Sequence, residues 1–158
     1  MYRKQLIWIS GFILTLALIT GCRGSKDKTP IGQATSIPAP ATDKATVTGN
    51  VFTTALNQPY PKAAVWLAEV YRQGGDGAYV LDHAFSPAVY ADDMGVFVIA
   101  NVDPKEYVIV IGDPEGLYEV IPDESGRARV WNAEAGKILD VGQLTVSLTP
   151  PPTPPQSP

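Results

Sequence analysis

Histidine and cysteine are all but missing from this sequence, where His83 and Cys22 stand alone. Without a second thiol there is no disulfide to staple the chain. One histidine and one cysteine make no ligand set for zinc. Asp82 adjoins His83, but neighbours on an extended chain point to opposite sides, so the pair is no catalytic dyad and His83 reads as a loop residue. Basic residues are scarce too. Residues 45–148 hold six Lys and Arg against fourteen Asp and Glu, a net charge of −8. Nucleic-acid binders need a basic stripe, so nucleic acid is excluded as a partner. No Gly-x-x-x-x-Gly-Lys phosphate loop occurs; Gly74-Gly75-Asp76-Gly77 lacks the lysine and reads as a flexible hairpin. Helical periodicity is almost absent, and a long apolar run occurs only at the start.

That run is Leu6 to Ile19, fourteen residues behind Arg3 and Lys4. A membrane-spanning helix needs roughly 20 residues, so the segment has the layout of a secretory signal. Ile19-Thr20-Gly21-Cys22 resembles the lipobox of bacterial lipoproteins: a branched apolar residue, two small residues, then cysteine. The resemblance implies cleavage between Gly21 and Cys22 and attachment of diacylglycerol and palmitate-type acyl chains to Cys22. The alternative is a signal anchor whose cysteine lies at the border. A single acyl chain holds a protein marginally, at about 0.8 kcal/mol per buried CH2, whereas two anchor it stably. The expected location is therefore the extracytoplasmic face of the cell membrane. Residues 22–44 are rich in Ser, Thr, Pro, Gly and Ala without apolar periodicity, and read as a flexible, mildly basic linker. Residues 149–158, TPPPTPPQSP, favour polyproline II.

Between the linker and this tail, residues 45–148 suffice for one domain. Short alternating runs follow one another: 46–53, 63–71, 95–101, 105–111, 116–121, 127–131 and 138–148. Turn-forming Asn, Asp, Gly and Pro separate them. The expected fold is all-β, a single seven-stranded antiparallel β-sandwich. Residues 126–135 also suit one helical turn. Asp92-Asp93-Met94-Gly95 reads as a turn, and the runs on either side of Val102–Glu106 as a hairpin with apolar residues inward. Asp92 and Asp93 are also weak candidates for Ca²⁺, but no Asp-x-Asp-x-Asp-Gly spacing accompanies them and no metal or cofactor is expected.

As a set, "TVTGNVF", "QPYPKAAVWLAEV", "YADDMGVFVIANVDPKEYVIVI" and "GKILDVGQLTV" resemble the carboxypeptidase regulatory-like domain. The matching positions are Gly49 and Val51, Pro61, Ala63 and Val65, Asp93, Gly95 and Phe97, then Asn101, Val102, Pro104 and Tyr107. Lys105-Glu106 stand where that family has glycine, and residues 72–89 are longer than its usual link. The resemblance implies a transthyretin-like (prealbumin), Greek-key sandwich and an accessory module that is not itself catalytic. The chain is accordingly expected not to be an enzyme.

If Ala63, Val65 and Leu67 face the core, Trp66 faces away from it. Tyr71, Tyr79 and Tyr90 lie on or beside the 72–89 insertion. Exposed aromatics stack on sugar rings or anchor protein partners, so these four mark a candidate binding surface. The other outcome for Trp66 is burial beneath the insertion or the C-terminal segment. The functional expectation is a lipid-anchored structural or protein-interaction module of the cell envelope; the alternative is a carbohydrate-binding module for wall or extracellular glycans. A contiguous apolar patch rimmed by charge favours the first. A shallow aromatic row flanked by Asp, Asn or Gln favours the second.

Overall fold

A computed structural model describes residues 37–112 and 116–150. The strands are β1 (Ala45–Thr53), β2 (Gln58–Pro59), β3 (Ala64–Gln73), β4 (Asp76–Val80), β5 (Ala88–Tyr90), β6 (Val96–Val102), β7 (Glu106–Gly112), β8 (Tyr118–Val120), β9 (Val130–Asn132) and β10 (Ile138–Val146). No described residue is helical, and the chain is all-β. Each of the seven expected runs holds a strand. The RARVW run becomes β9 rather than a helical turn, because its backbone pairs with β7 through Tyr107 and Trp131.

Two sheets form. In the first, β1 is central, flanked by β10 on one side and by β6 and β2 on the other. In the second, β3 and β7 are central, with β4 and β5 beside β3 and with β8 and β9 beside β7. Val47, Val51, Phe97 and Leu144 from the first sheet meet Val65, Leu67, Ile109 and Ile111 from the second in one buried core. Burial of such side chains stabilises a fold by about 1.5–3 kcal/mol each.

Two topological expectations are corrected. The sandwich is not purely antiparallel, since β1 and β10 run parallel. The turn before β10 lies beside the start of β1, where Gly136 N donates to Lys44 O at 2.7 Å and Thr46 N to Lys137 O at 3.1 Å. Starting together, the two strands run the same way. Nor do the runs around Val102–Glu106 form a hairpin: β6 pairs with β1 and β7 with β3, so the connection arches between the sheets. Hairpin and arch both place alternate apolar residues inward, so alternation alone does not separate them. Asn101 supplies the positive φ of this arch, 56°, and glycine is not needed at Lys105-Glu106. Tyr107 closes it by donating its hydroxyl to Asp103 O at 2.9 Å.

Three strands were not expected: β2, β4 and β5. Much of the 72–89 insertion is the β3–β4 hairpin, turned by Gly74 at φ 65°. The end of the expected linker also belongs to the folded unit. Pro38 O accepts from Thr46 Oγ1 at 3.3 Å, and the Lys44 ammonium lies 2.6 Å from the Asp103 carboxylate.

Candidate functional site

In antiparallel pairs, residues directly opposite each other share a face. On the outer face of the second sheet, Tyr90, Ala64, Gly112 and Tyr118 therefore form one row across β5, β3, β7 and β8. The next row is Ala88, Trp66, Val110 and Val120. Ala68, Val108 and Val130 follow, and Tyr79 lies opposite Val70. This outer face is apolar across its width. Ala68, Val108 and Val110 are buried in a cluster of their own, against Trp66, Val70, Leu81, Val120 and Ala128.

Trp66 points away from the core and is half-buried. Its indole lies against Gly112: a Cβ at that glycine would come within 2.8 Å of the ring. His83 meets it edge-on, with ring centroids 5.5 Å apart at 84°. Both outcomes considered for Trp66 are thus met in part. The insertion covers some of the ring, and the remainder is exposed beside Tyr90 (62%) and Tyr118 (60%). His83 rides on a turn set by Asp82, whose carboxylate accepts from Ala84 N at 2.8 Å. That carboxylate is engaged with the backbone.

The rim of this face is charged. Arg72 grips Glu106 with two bonds, Nε to Oε2 at 2.5 Å and Nη2 to Oε1 at 3.0 Å. The guanidinium holds the Glu106 carboxyl below the usual carboxylate range, and the pair raises Arg72. Arg127 and Asp123 stand on the opposite bank of a cleft of about 510 Å³ that Val70, Val108 and Val130 line.

Of the four predicted aromatics, the structure brings Trp66, Tyr79 and Tyr90 onto one face and leaves Tyr71 on the other. Tyr71 lies opposite Ala78, on the core side of β3 near the strand's C-terminal end, and is exposed. There it lines a second cleft, of about 380 Å³, with Val80, Phe85, Asp82, Asn101 and Asp103. Phe85, 86% exposed, was missed in the sequence. So was the apolar outer face of β7, though it had a signal. Tyr107–Ile111 is apolar at every position, and an uninterrupted run marks a strand covered on both faces. Trp131 belongs to the core.

Asp92 and Asp93 do turn work. The Asp92 carboxylate accepts from Met94 N at 2.8 Å and Val96 N at 2.9 Å, while Asp93 pairs with Lys62 at 3.0 Å. Among the described residues no three His, Cys, Asp or Glu side chains are grouped to hold a metal. Among the same residues no helix is long and apolar enough to cross a membrane. Gly21 and Cys22 lie outside the described residues.

No protein-family model matches this chain, and no curated protein does. Among solved structures it is similar to a 9R-lipoxygenase from Cyanothece PCC8801, at 16% identity and TM-score 0.42 over 80% of this chain. The chain spans only 20% of that lipoxygenase. It is also similar to the dioxygenase domain of a dioxygenase–carbohydrate-binding protein fusion from the cellulolytic bacterium Streptomyces sp. SirexAA-E. There the identity is 16% and the TM-score 0.41, over 74% of this chain and 86% of that one. These neighbours overturn the expectation that the chain is not an enzyme: folds similar to this one occur within a lipoxygenase and a dioxygenase. A likeness of this size extends to the β-rich frame and assigns no chemistry to this chain.

Proposed function

We propose that this chain is a membrane-anchored lipoprotein of the extracytoplasmic face, tethered through acylated Cys22, with a sandwich of the carboxypeptidase regulatory-like kind that docks another envelope protein. The observation that carries the docking reading is the outer face of the second sheet. It is a contiguous apolar patch holding Trp66, Tyr79, Tyr90 and Tyr118, with Arg72, Glu106, Asp123 and Arg127 at its rim. Buried aromatic anchors carry much of the energy of protein interfaces, and charged rims steer encounter. The lipobox pattern at 19–22 supports the anchor. In-cell photo-crosslinking from positions 90 and 118 of the membrane-held chain is expected to give discrete heavier adducts, and position 71 none. Adducts at 71 alone would move the interface to the other side. Metabolic labelling with an alkynyl palmitate is expected to tag the wild type but not Cys22→Ser, which should also leave the membrane fraction.

A second reading, glycan binding, is favoured by the other cleft. Tyr71 and Phe85 offer aromatic faces there, beside Asp82, Asn101 and Asp103. Sugar rings stack on such faces and donate hydroxyls to such acceptors. Pull-down on wall polysaccharide that survives Tyr90→Ala but fails in Tyr71→Ala/Phe85→Ala would establish this second reading.

A further inference from the structure

The cleft of about 380 Å³ that Tyr71 and Phe85 line is within the roughly 300–1,000 Å³ usual for small-ligand sites. Both aromatic side chains are exposed, and the buried Leu67 and Val102 line the same cleft. Three carboxylates also line it, and they differ in how far they are engaged. Glu69 accepts from the Lys105 ammonium at 2.9 Å, and Asp103 lies 2.6 Å from that of Lys44. Each of these charges has a lysine against it. Asp82 has none. One of its oxygens accepts from Ala84 N at 2.8 Å, and the other is open among the described residues. Two neutral side chains add donors. Ser86 Oγ accepts from Asp82 N at 3.0 Å and keeps its own proton to give. Asn101 Oδ1 accepts from Ala41 N at 3.4 Å, which leaves its Nδ2 to donate.

From this arrangement we infer that the cleft takes an amino sugar with a free, protonated amine, as a unit of a glycan chain. The inference rests on the glycan reading of this cleft and names the class of its ligand. The apolar face of a pyranose ring stacks on Tyr71 or Phe85. Its hydroxyls accept from Ser86 and from Asn101 Nδ2. A neutral sugar makes those contacts and leaves the Asp82 charge without a counterpart. An ammonium on the ring meets two attractions at once. It donates a charge-assisted hydrogen bond to the open Asp82 oxygen, and it lies against the negative faces of the aromatic rings. An N-acetyl group removes that charge and adds bulk. The wider field agrees, since residues 45–148 carry a net −8 that draws a cationic glycan and turns an anionic one away.

The test titrates the full chain, in detergent micelles, with a soluble β-1,4-linked glucosamine oligomer and with its fully N-acetylated form, read by calorimetry. The free-amine oligomer is expected to bind about tenfold tighter, the scale of one hydrogen bond between charged groups. Asp82→Asn keeps an acceptor for Ala84 N, so the turn stands; it should erase the preference and leave binding of the acetylated oligomer unchanged. Tyr71→Ala/Phe85→Ala should abolish binding of both. An acetylated oligomer bound as tightly as the free amine would overturn the inference and leave the glycan reading standing. Binding of neither would overturn both. A preference that survives Asp82→Asn would also overturn the inference, because the acidic surface as a whole would then be the attractant. So would a lysine-rich peptide that binds more tightly than the oligomer and loses its hold in Asp82→Asn, which would make the cleft a peptide site.

Discussion

Strands β3 and β7 are shared by two apolar faces that are covered in different ways. On the inner face, Val65, Leu67, Ile109 and Ile111 are sealed by the opposite sheet and reach zero exposure. On the outer face, Ala68, Val108 and Val110 are almost as well buried, yet among the described residues no sheet lies above them. Their cover is the ring of Trp66, the side chains of Val70 and Val120, and the 81–83 stretch with Leu81 and His83. An inner face made this way is a core. An outer face made this way is a platform, dry at its centre and aromatic at its edges. The insertion therefore does not decorate the sandwich; it roofs part of the sheet and leaves Tyr90 and Tyr118 beside the roof.

Truncating one residue on each face separates the two kinds of cover. Leu67→Ala opens a cavity among residues that a second sheet holds in place, and is expected to cost about 2–5 kcal/mol. Trp66→Ala removes a larger side chain, but one that is half in water with neighbours free to settle, and is expected to cost about 1–2 kcal/mol. Urea unfolding of the two variants measures the difference. Equal losses would make the outer cluster a second core and remove the platform reading.

A smaller effect is expected where the two central strands meet the roof. A Cβ at Gly112 would approach both Leu117 O and the Trp66 ring to 2.8 Å. Overpacking of this kind costs about 1–3 kcal/mol. Gly112→Ala is therefore expected to lower stability and to lift the indole from the sheet, seen as easier quenching of Trp66 fluorescence by acrylamide in a chain whose other two tryptophans, Trp8 and Trp131, are replaced by Phe. A stability loss without a change in quenching would show that the strand, not the ring, absorbs the clash.

Tyr107 probes the arch that hands the chain from one sheet to the other. Losing its hydroxyl bond to Asp103 O in Tyr107→Phe is expected to cost about 1 kcal/mol. Burial pushes the phenol up from 10.0 to about 12, so the neutral form is favoured in the folded state. Its contribution is then fully present below pH 10 and is lost as the pH rises through about 12. Wild type should lose stability in alkali faster than Tyr107→Phe, and parallel profiles would mean that another group governs the alkaline limit.

Strand existence was legible in the sequence because short apolar runs bounded by turn residues mark the long strands, alternating in some, as in Val47, Gly49 and Val51 or Phe97 and Ile99. Partnership was not. Alternation reports which side is buried, not which strand lies alongside, so the β6–β7 arch resembled a hairpin and the parallel β1–β10 pairing left no local mark. The candidate surface was legible in Trp66, Tyr79 and Tyr90, since residues opposite one another across β3 inherit its parity. Tyr71 keeps the opposite parity, and only the β3–β4 register reveals that it lies with Val80 and Phe85 instead. Val108 and Val110 were written in the unbroken run Tyr107–Ile111, where alternation was read in place of continuity.

The smallest expected effect separates two turns built alike. In Asp92–Gly95 and in Asp123–Gly126 an aspartate accepts backbone N–H groups two and four residues on, and a glycine follows at φ 78° or 81°. The first turn is pinned to the core sheet: Val51 N donates to Gly95 O at 2.8 Å and Asn50 Nδ2 to Met94 O at 2.9 Å. The second stands on the rim of the platform with Arg127. Its Ser125 hydroxyl, ahead of the backbone donors, holds the Asp123 carboxyl below 3.8. A depressed folded value means a contribution present above the unfolded value and lost as the pH falls through the folded one. Asp123→Asn keeps an acceptor oxygen but no charge. It should lower the melting temperature slightly at pH 7, and the deficit should close as wild-type Asp123 protonates at pH below 3.8. Asp92→Asn disturbs a turn on which β1 closes, so its loss at pH 7 should be the larger of the two. If Asp123→Asn proves the more damaging, the rim turn is itself part of what holds the outer face dry, and the platform must be counted as a structural layer.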